Sequence, residues 1–140
     1  MSADLTWLLI KNNNSYLVKR SGVQFSSEAG NLLNKNSFKY SGLANKKTVD
    51  VAAAPSGRGV VVSTKVTSVP AYKPSKGLNK VTLSKGVRKS ARSVAGLTRS
   101  GYRADLRQAA LARVSAVLNS QKPVKAAPKK TGNGIRATKH

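Results

Sequence analysis

Alternation of apolar and polar positions dominates the first half of the chain and predicts short β-strands. Residues 16–18 and 23–25 are short apolar runs separated by a polar turn that contains Gly22, which is the pattern of a β-hairpin. Residues 47–54 alternate, residues 59–66 are rich in β-branched side chains, and turn-forming residues lie between them. We therefore expect a second hairpin that pairs these two segments.

Two other segments of this half have weaker patterns. Residues 37–41 alternate in polarity, which predicts a strand with Phe38 and Tyr40 on one face and Lys39 on the other. Residues 4–11 fit either a short helix with a polar N-cap or a strand, and their pattern leaves both open.

Apolar residues return every three or four positions in the second half, which is the spacing of helices. The first predicted helix covers residues 82–98, although Gly86 and Gly96 weaken it. The second covers about residues 103–120 and ends before Pro123. Its apolar side chains share one arc, which we expect to pack on the sheet: Leu106, Ala110, Leu111, Val114, Val117 and Leu118.

These elements predict an α+β fold, in which a small antiparallel β-sheet is packed by C-terminal helices and followed by a basic extended tail. We expect residues 1–121 to form a single domain. It divides into a strand-rich part (1–68), a linker (69–80) and a helical part (81–121). Residues 122–140 form a basic extension, with too few apolar side chains to offset the entropy of ordering it.

The charge of the chain indicates the kind of partner it binds. The chain has 26 Lys and Arg residues against four acidic residues, a net charge of +22. Residues 71–140 carry +16 of it, and residues 1–70 carry +6. Nucleic acid is a polyanion dense enough to neutralise such an excess, and we expect it as the partner. An acidic protein stays open as an alternative, whereas no long apolar run or single basic amphipathic helix indicates a membrane.

Residues that carry catalytic chemistry are almost absent. The single histidine, His140, is the last residue, and the four acidic residues are widely separated in sequence. The chain has no cysteine, no phosphate-binding loop and no dinucleotide motif. We expect that the protein is not an enzyme and that it has no cofactor, no metal site and no small-molecule substrate. The absent leader and membrane span also predict a soluble intracellular protein.

None of the common base-reading modules fits the sequence, which favours recognition of the RNA backbone and shape. Trp7 and the Phe38–Tyr40 segment leave two interpretations open. Aromatic side chains interleaved with lysine stack on bases in single-strand binders. A place in the core is favoured here, because seven aromatic residues offer little apolar volume.

Several blocks in a fixed order carry a family resemblance. They are residues 2–10, 14–20, 36–43, 57–62 and 102–107, the last continuing to residue 123. They resemble the eukaryotic large-subunit ribosomal protein family L twenty-eight. Residues 67–98 match that family poorly, and Ala104 stands where proline is expected.

The resemblance implies a structural constituent of the eukaryotic cytosolic large ribosomal subunit. Its expected partners are large-subunit ribosomal RNA and neighbouring ribosomal proteins, and it is expected to be assembled via the nucleolus. The cations that we expect to contact RNA are Lys46, Lys47, Arg58, Lys85, Arg88, Lys89, Arg92, Arg99, Arg103, Arg107, Arg113, Lys122, Lys125, Lys129 and Lys130. Arg107 falls within the apolar arc of its helix and is expected to extend its stem across the core.

Two alternatives have a basis in the sequence. Residues 122–130 resemble the Lys-Ala-Pro tails of linker histones, which indicates a chromatin-type DNA-binding protein. A nucleolar ribosome-assembly factor of related shape is the other, and the absence of cysteine argues against it.

Overall fold

The computed structural model describes residues 2–70, 73, 76–99, 101–124 and 126. Three α-helices and five β-strands lie in this part of the chain, together with short 3₁₀ turns at Phe38–Tyr40 and Ala104–Leu106. In chain order the elements are α1 (Ala3–Ile10), β1 (Leu17–Arg20), β2 (Val23–Ser26), β3 (Val49–Ala53), β4 (Val60–Lys65), β5 (Leu78–Leu83), α2 (Val87–Arg99) and α3 (Arg107–Ser120).

Both predicted hairpins are present. β1 pairs with β2 in an antiparallel two-stranded sheet, and Ser21 and Gly22 form the turn with positive φ angles. β3 pairs with β4 so that Val51 lies opposite Val62. β5 then pairs antiparallel with β4, which gives a second sheet in the order β3-β4-β5. The predicted α+β fold with antiparallel sheets and C-terminal helices is confirmed.

The core lies between the three-stranded sheet and the C-terminal helices. Alternate residues of β3 and β4 face it, and Val49, Val51, Val60 and Val62 are all buried. The predicted arc of α3 packs on them, because Ala110, Val114 and Leu118 are buried together with Leu106 in the preceding turn. Leu111 and Val117 are half-buried at the edges of the same arc. α2 adds Val94 to this core.

The largest departure from the predicted boundaries is β5. Residues 78–80 were assigned to the linker and residues 81–83 to the helical part, yet Leu78–Leu83 is a strand. Each of its residues pairs with one residue of β4, so it covers a strand edge that would otherwise leave its backbone groups unpaired. α2 therefore begins at Val87, after Gly86, and not at residue 82.

The prediction of a strand over residues 37–41 is wrong. Ser41 N–H donates to the carbonyl oxygens of Ser37 and Phe38, which closes a 3₁₀ turn. Asn45 Nδ2 donates to the carbonyls of Phe38 (2.7 Å) and Ser41 (2.8 Å), so a side chain satisfies backbone acceptors that a strand would pair with a neighbour. The first segment is a helix, capped by Ser2 Oγ, which accepts a hydrogen bond from Leu5 N–H.

Glu28 is a buried acid near the turn that links β2 to this region. Its carboxyl accepts hydrogen bonds from Asn31 Nδ2 (3.2 Å), Ser41 Oγ (3.3 Å) and Leu43 N–H (3.4 Å). Only 6% of its surface is exposed. Glu28 thus organises the loop from residue 28 to residue 43, because buried polar groups need such partners.

Candidate nucleic-acid interface

The described cations among the sequence-predicted binding residues lie mostly at the surface. The exposed ones are Lys46, Lys47, Arg58, Lys85, Arg88, Lys89, Arg92, Arg99, Arg107 and Lys122. Arg103 and Arg113 are half-buried. Lys125, Lys129 and Lys130 lie outside the described residues, as does most of the predicted basic extension.

Three of these cations meet at one end of the three-stranded sheet. Arg58, Lys85 and Lys122 line a cavity of about 430 Å³, which we call the end cavity. They come from the β3–β4 turn, the segment before α2 and the segment after α3. Among the described residues that line this cavity none is acidic, and Gly57 and Gly59 form part of its wall. The arrangement offers three positive side chains and no competing carboxylate to an anion.

Gln121 fixes two walls of the end cavity to each other. Its Oε1 accepts a hydrogen bond from Gly59 N–H (2.9 Å), and its Nε2 donates to the Gly59 carbonyl (2.7 Å). This pair of bonds joins the end of α3 to the β3–β4 turn, so Lys122 and Arg58 line the same concavity. Sequence reasoning missed this role of Gln121, because no local pattern relates positions 62 residues apart.

A stripe of three exposed arginines on α2 begins one residue after the end cavity. Val87, the first residue of α2, lines the cavity. Arg88, Arg92 and Arg99 follow within about 40° of one another on a helical wheel, and Lys89 lies beside them. The opposite side of α2 is buried through Ser90, Val94 and Thr98. α2 contains no acidic residue, and the basic residues on its exposed side extend over about 16 Å.

Arg103 has a different place from the one predicted. Its guanidinium donates to both carboxyl oxygens of Asp105 (each 2.8 Å), to the Lys47 carbonyl (2.8 Å) and to the Lys39 carbonyl (2.7 Å). Four of the five N–H donors of the side chain are thus engaged within the protein. These bonds tie the helical part to the loops before β3, and the RNA contact of Arg103 stays a prediction.

Arg113 and Arg107 also differ from expectation. Arg113 Nε lies 3.5 Å from the Val51 carbonyl oxygen, a long contact that orients this side chain toward the backbone of β3. Arg107 is exposed and does not lie across the core as its place in the apolar arc predicted. The buried side of α3 begins with Leu106 and continues through Ala110 without it.

The Arg103–Asp105 pair shifts the titration of the acid. The hydrogen bond from Arg103 is the main cause that holds the pKa of Asp105 below its ordinary value. Burial raises the pKa of nearby Tyr102, whose OH donates to the Lys65 carbonyl (2.6 Å). Tyr102 thus fastens the start of the helical part to the end of β4, and Arg103 fastens it to the loop before β3.

Asp105→Asn is expected to lower the free energy of unfolding at about pH 7 by about 1 kcal/mol or less, since the carboxyl is partly exposed and screened. The carboxyl has a depressed pKa in the folded state, so its contribution is present above the unfolded pKa and is lost as the pH falls through the folded one. Urea unfolding should show the two proteins converging as the pH falls from about 7 through the range in which aspartate titrates. A difference that stays constant over that range would contradict this cause.

A second basic cavity lies beside the N-terminus of α1. This side cavity has a volume of about 500 Å³ and is lined by Ala3, Phe38, Lys39, Asn45, Lys46, Lys47, Arg103 and Asp105. Lys39 Nζ lies 5.6 Å from the centre of the Tyr40 ring, and Lys47 Nζ lies 5.8 Å from that of Tyr102. Such cation–π contacts place both ammonium groups against aromatic faces.

The aromatic residues divide between the two interpretations that the sequence left open. Tyr40 packs against the core, as favoured. Trp7 is half-buried and Phe38 is 37% exposed, and neither belongs to the core cluster. Their rings lie 6.2 Å apart, centre to centre, at an angle of 57°.

No group of three or more His, Cys, Asp and Glu side chains in the described part of the chain is placed to hold a metal ion. Within the same residues, no helix has the length and apolar character required to cross a bilayer.

The family model and the relatives that match this chain agree on one family. The model of the ribosomal L28e protein family matches residues 5–120. A protein of Schizosaccharomyces pombe named large ribosomal subunit protein eL28 is 45% identical over 130 residues, which cover 89% of this chain and 96% of that protein. Proteins of the same name from Dictyostelium discoideum and Caenorhabditis elegans are 44% and 43% identical, over 91% and 81% of this chain and 94% and 90% of their own lengths.

Proposed function

Since the chain belongs to the ribosomal L28e protein family, we propose that it is a structural constituent of the cytosolic large ribosomal subunit that binds ribosomal RNA through phosphate contacts. The relatives named large ribosomal subunit protein support the place in the particle. We further propose that neighbouring ribosomal proteins are its other partners and that it joins the particle in the nucleolus. Its role is structural and not catalytic.

The observation that carries the RNA contact is the basic surface made up of the end cavity and the arginine stripe of α2. We call it the basic face and define it by Arg58, Lys85, Arg88, Lys89, Arg92, Arg99 and Lys122. Its cations come from separate segments of the chain, yet no acidic side chain lines the cavity or belongs to α2 among the described residues. Two like charges about 10 Å apart repel by about 0.4 kcal/mol in water, so this face favours a polyanion.

The chemistry of these side chains fits phosphate. An arginine guanidinium presents paired N–H donors that match two phosphate oxygens, and a lysine ammonium acts as a compact point charge. The concave end cavity suits a bend of the backbone, whereas the stripe on α2 suits an extended run of phosphates. Such contacts fix the position of a folded RNA without reading its bases.

Sucrose-gradient sedimentation of a tagged chain from eukaryotic cells tests this function. We expect the chain to sediment with large subunits and polysomes, and to leave these fractions when high salt strips peripheral proteins from the particles. Treatment with a DNA nuclease should leave the distribution unchanged. Association with chromatin that the nuclease abolishes would contradict the proposal and support the linker-histone alternative.

A further inference from the structure

The side cavity combines cations with an exposed aromatic ring, a combination that the basic face lacks. Phe38 lines the cavity together with Lys39, Lys46 and Lys47. Its ring is 37% exposed and lies outside the core cluster. An aromatic ring at the wall of a basic cavity offers a flat apolar surface next to a site for an anion.

The backbone of two lysines in this cavity is held by Arg103. Its guanidinium donates to the carbonyls of Lys39 and Lys47, so both lysines are fixed to it at the backbone. Asp105, the acidic residue among the described residues that line the cavity, is paired with Arg103 at 2.8 Å. Four cations thus face one carboxylate, which leaves a net charge of +3 for an incoming anion.

The ring of Phe38 is in contact with α1. The Trp7 ring contacts it at 6.2 Å in a tilted arrangement, which limits the positions that Phe38 adopts. Asn45 Nδ2 donates to the Phe38 carbonyl (2.7 Å), so the backbone at Phe38 is held as well. A prearranged ring loses little entropy when it stacks on a ligand.

We propose that the side cavity binds one unpaired nucleotide of RNA, with the base stacked on Phe38 and its phosphates bound by Lys39, Lys46 and Lys47. This proposal rests on the proposed function and names a second, chemically distinct contact with the same RNA. An acidic peptide would satisfy the lysines, but the flat ring beside them matches the π-face that every base presents. The basic face holds phosphates only, whereas the side cavity selects single-stranded positions.

Fluorescence of Trp7, the single tryptophan of the chain, reports this site directly. The full chain is titrated at low salt with hexaadenylate and, in parallel, with an abasic hexamer of the same backbone. We expect hexaadenylate to quench Trp7 and the abasic hexamer to bind without comparable quenching. Phe38→Leu should weaken the Trp7-reported affinity for hexaadenylate about 5- to 150-fold and leave binding of the abasic hexamer unchanged.

Phe25→Leu is the matched control, because Phe25 is 44% exposed and does not line the cavity. It should keep wild-type affinity, and Phe38→Tyr, which retains an aromatic face, should do so as well. Circular dichroism verifies that each variant is folded. If Phe38→Leu unfolds, Phe38→Tyr is used to test the proposal in its place. Loss of Trp7 quenching in a folded Phe38→Tyr protein would overturn the proposal.

The outcomes separate the two proposals. If both hexamers bind with equal affinity and Phe38→Leu changes neither, the stacking site is wrong while the phosphate function stands. If neither hexamer binds at low salt, both are wrong. Displacement of hexaadenylate by an equal concentration of an acidic hexapeptide would overturn the nucleotide site and assign the cavity to an acidic protein segment.

Discussion

Replacing Arg88, Arg92 and Arg99 together by glutamine is expected to weaken binding of large-subunit ribosomal RNA about 100- to 500-fold at about 0.1 M salt. Each neutralised phosphate contributes about 0.7 to 0.9 to the slope of log affinity against log salt concentration. For each such contact, affinity therefore rises about five- to eightfold when the salt is diluted tenfold below 1 M. The three side chains form one exposed stripe, so all three contacts are lost together. Filter binding across a salt series measures both affinity and slope, and the slope should become shallower by about 2 to 3.

A control with the same loss of charge separates contact from net charge. Lys19, Arg20 and Lys35 are exposed and lie on or beside the β1–β2 hairpin, and none of them lines the end cavity or belongs to α2. Their joint replacement by glutamine also removes three charges, and we expect affinity within about fivefold of the unaltered chain. Equal losses in the two triple variants would mean that overall charge, and not the stripe on α2, determines binding.

Gly59→Ala is expected to lower the free energy of unfolding by about 2–4 kcal/mol. Gly59 has a φ of +95°, and a Cβ atom there would lie 2.5 Å from the Leu83 carbonyl oxygen, which belongs to the backbone of β5. The substitution therefore combines an unfavourable φ with a steric clash that separates β4 from β5 at the wall of the end cavity. Urea unfolding followed by circular dichroism gives the change.

Substitutions at two other glycines of the same cavity separate the cost of a positive φ from the cost of the steric clash. Gly57 also has a positive φ, +74°, but nothing lies within 4 Å of an added Cβ, so Gly57→Ala should cost only about 1 kcal/mol. Gly86 has neither a positive φ nor a near neighbour, and Gly86→Ala should be close to neutral. If Gly59→Ala were no worse than Gly57→Ala, the close approach of β4 and β5 would not limit stability.

The predictable part of the fold is the part with strong local periodicity. The hairpin of β3 and β4 and the buried arc from Leu106 to Leu118 follow directly from the spacing of apolar residues. β5 was missed because its residues are mostly exposed and follow a proline-rich stretch, so neither alternation nor composition marks it. The turn at Phe38–Tyr40 depends on the side chain of Asn45, a partner that a pattern of polarity does not contain.

The candidate site was predictable as a set of charges and not as a geometry. Composition and position identified Arg58, Lys85 and Lys122, but only the sheet and the Gln121 bonds place them around one cavity. Arg103 shows the converse, since an arginine counted as a phosphate ligand is engaged by backbone carbonyls and Asp105. The Phe38 ring likewise needed the tertiary fold to show that it faces a basic cavity.

Electron cryo-microscopy of large ribosomal subunits that carry this chain tests the central claim most directly, because it shows what lies against the basic face. We predict ribosomal RNA phosphate oxygens within about 3 Å of the side-chain nitrogens of Arg58, Lys85 and the arginine stripe of α2. A map in which these side chains face solvent or another protein, with the RNA on a different surface, would contradict the claim.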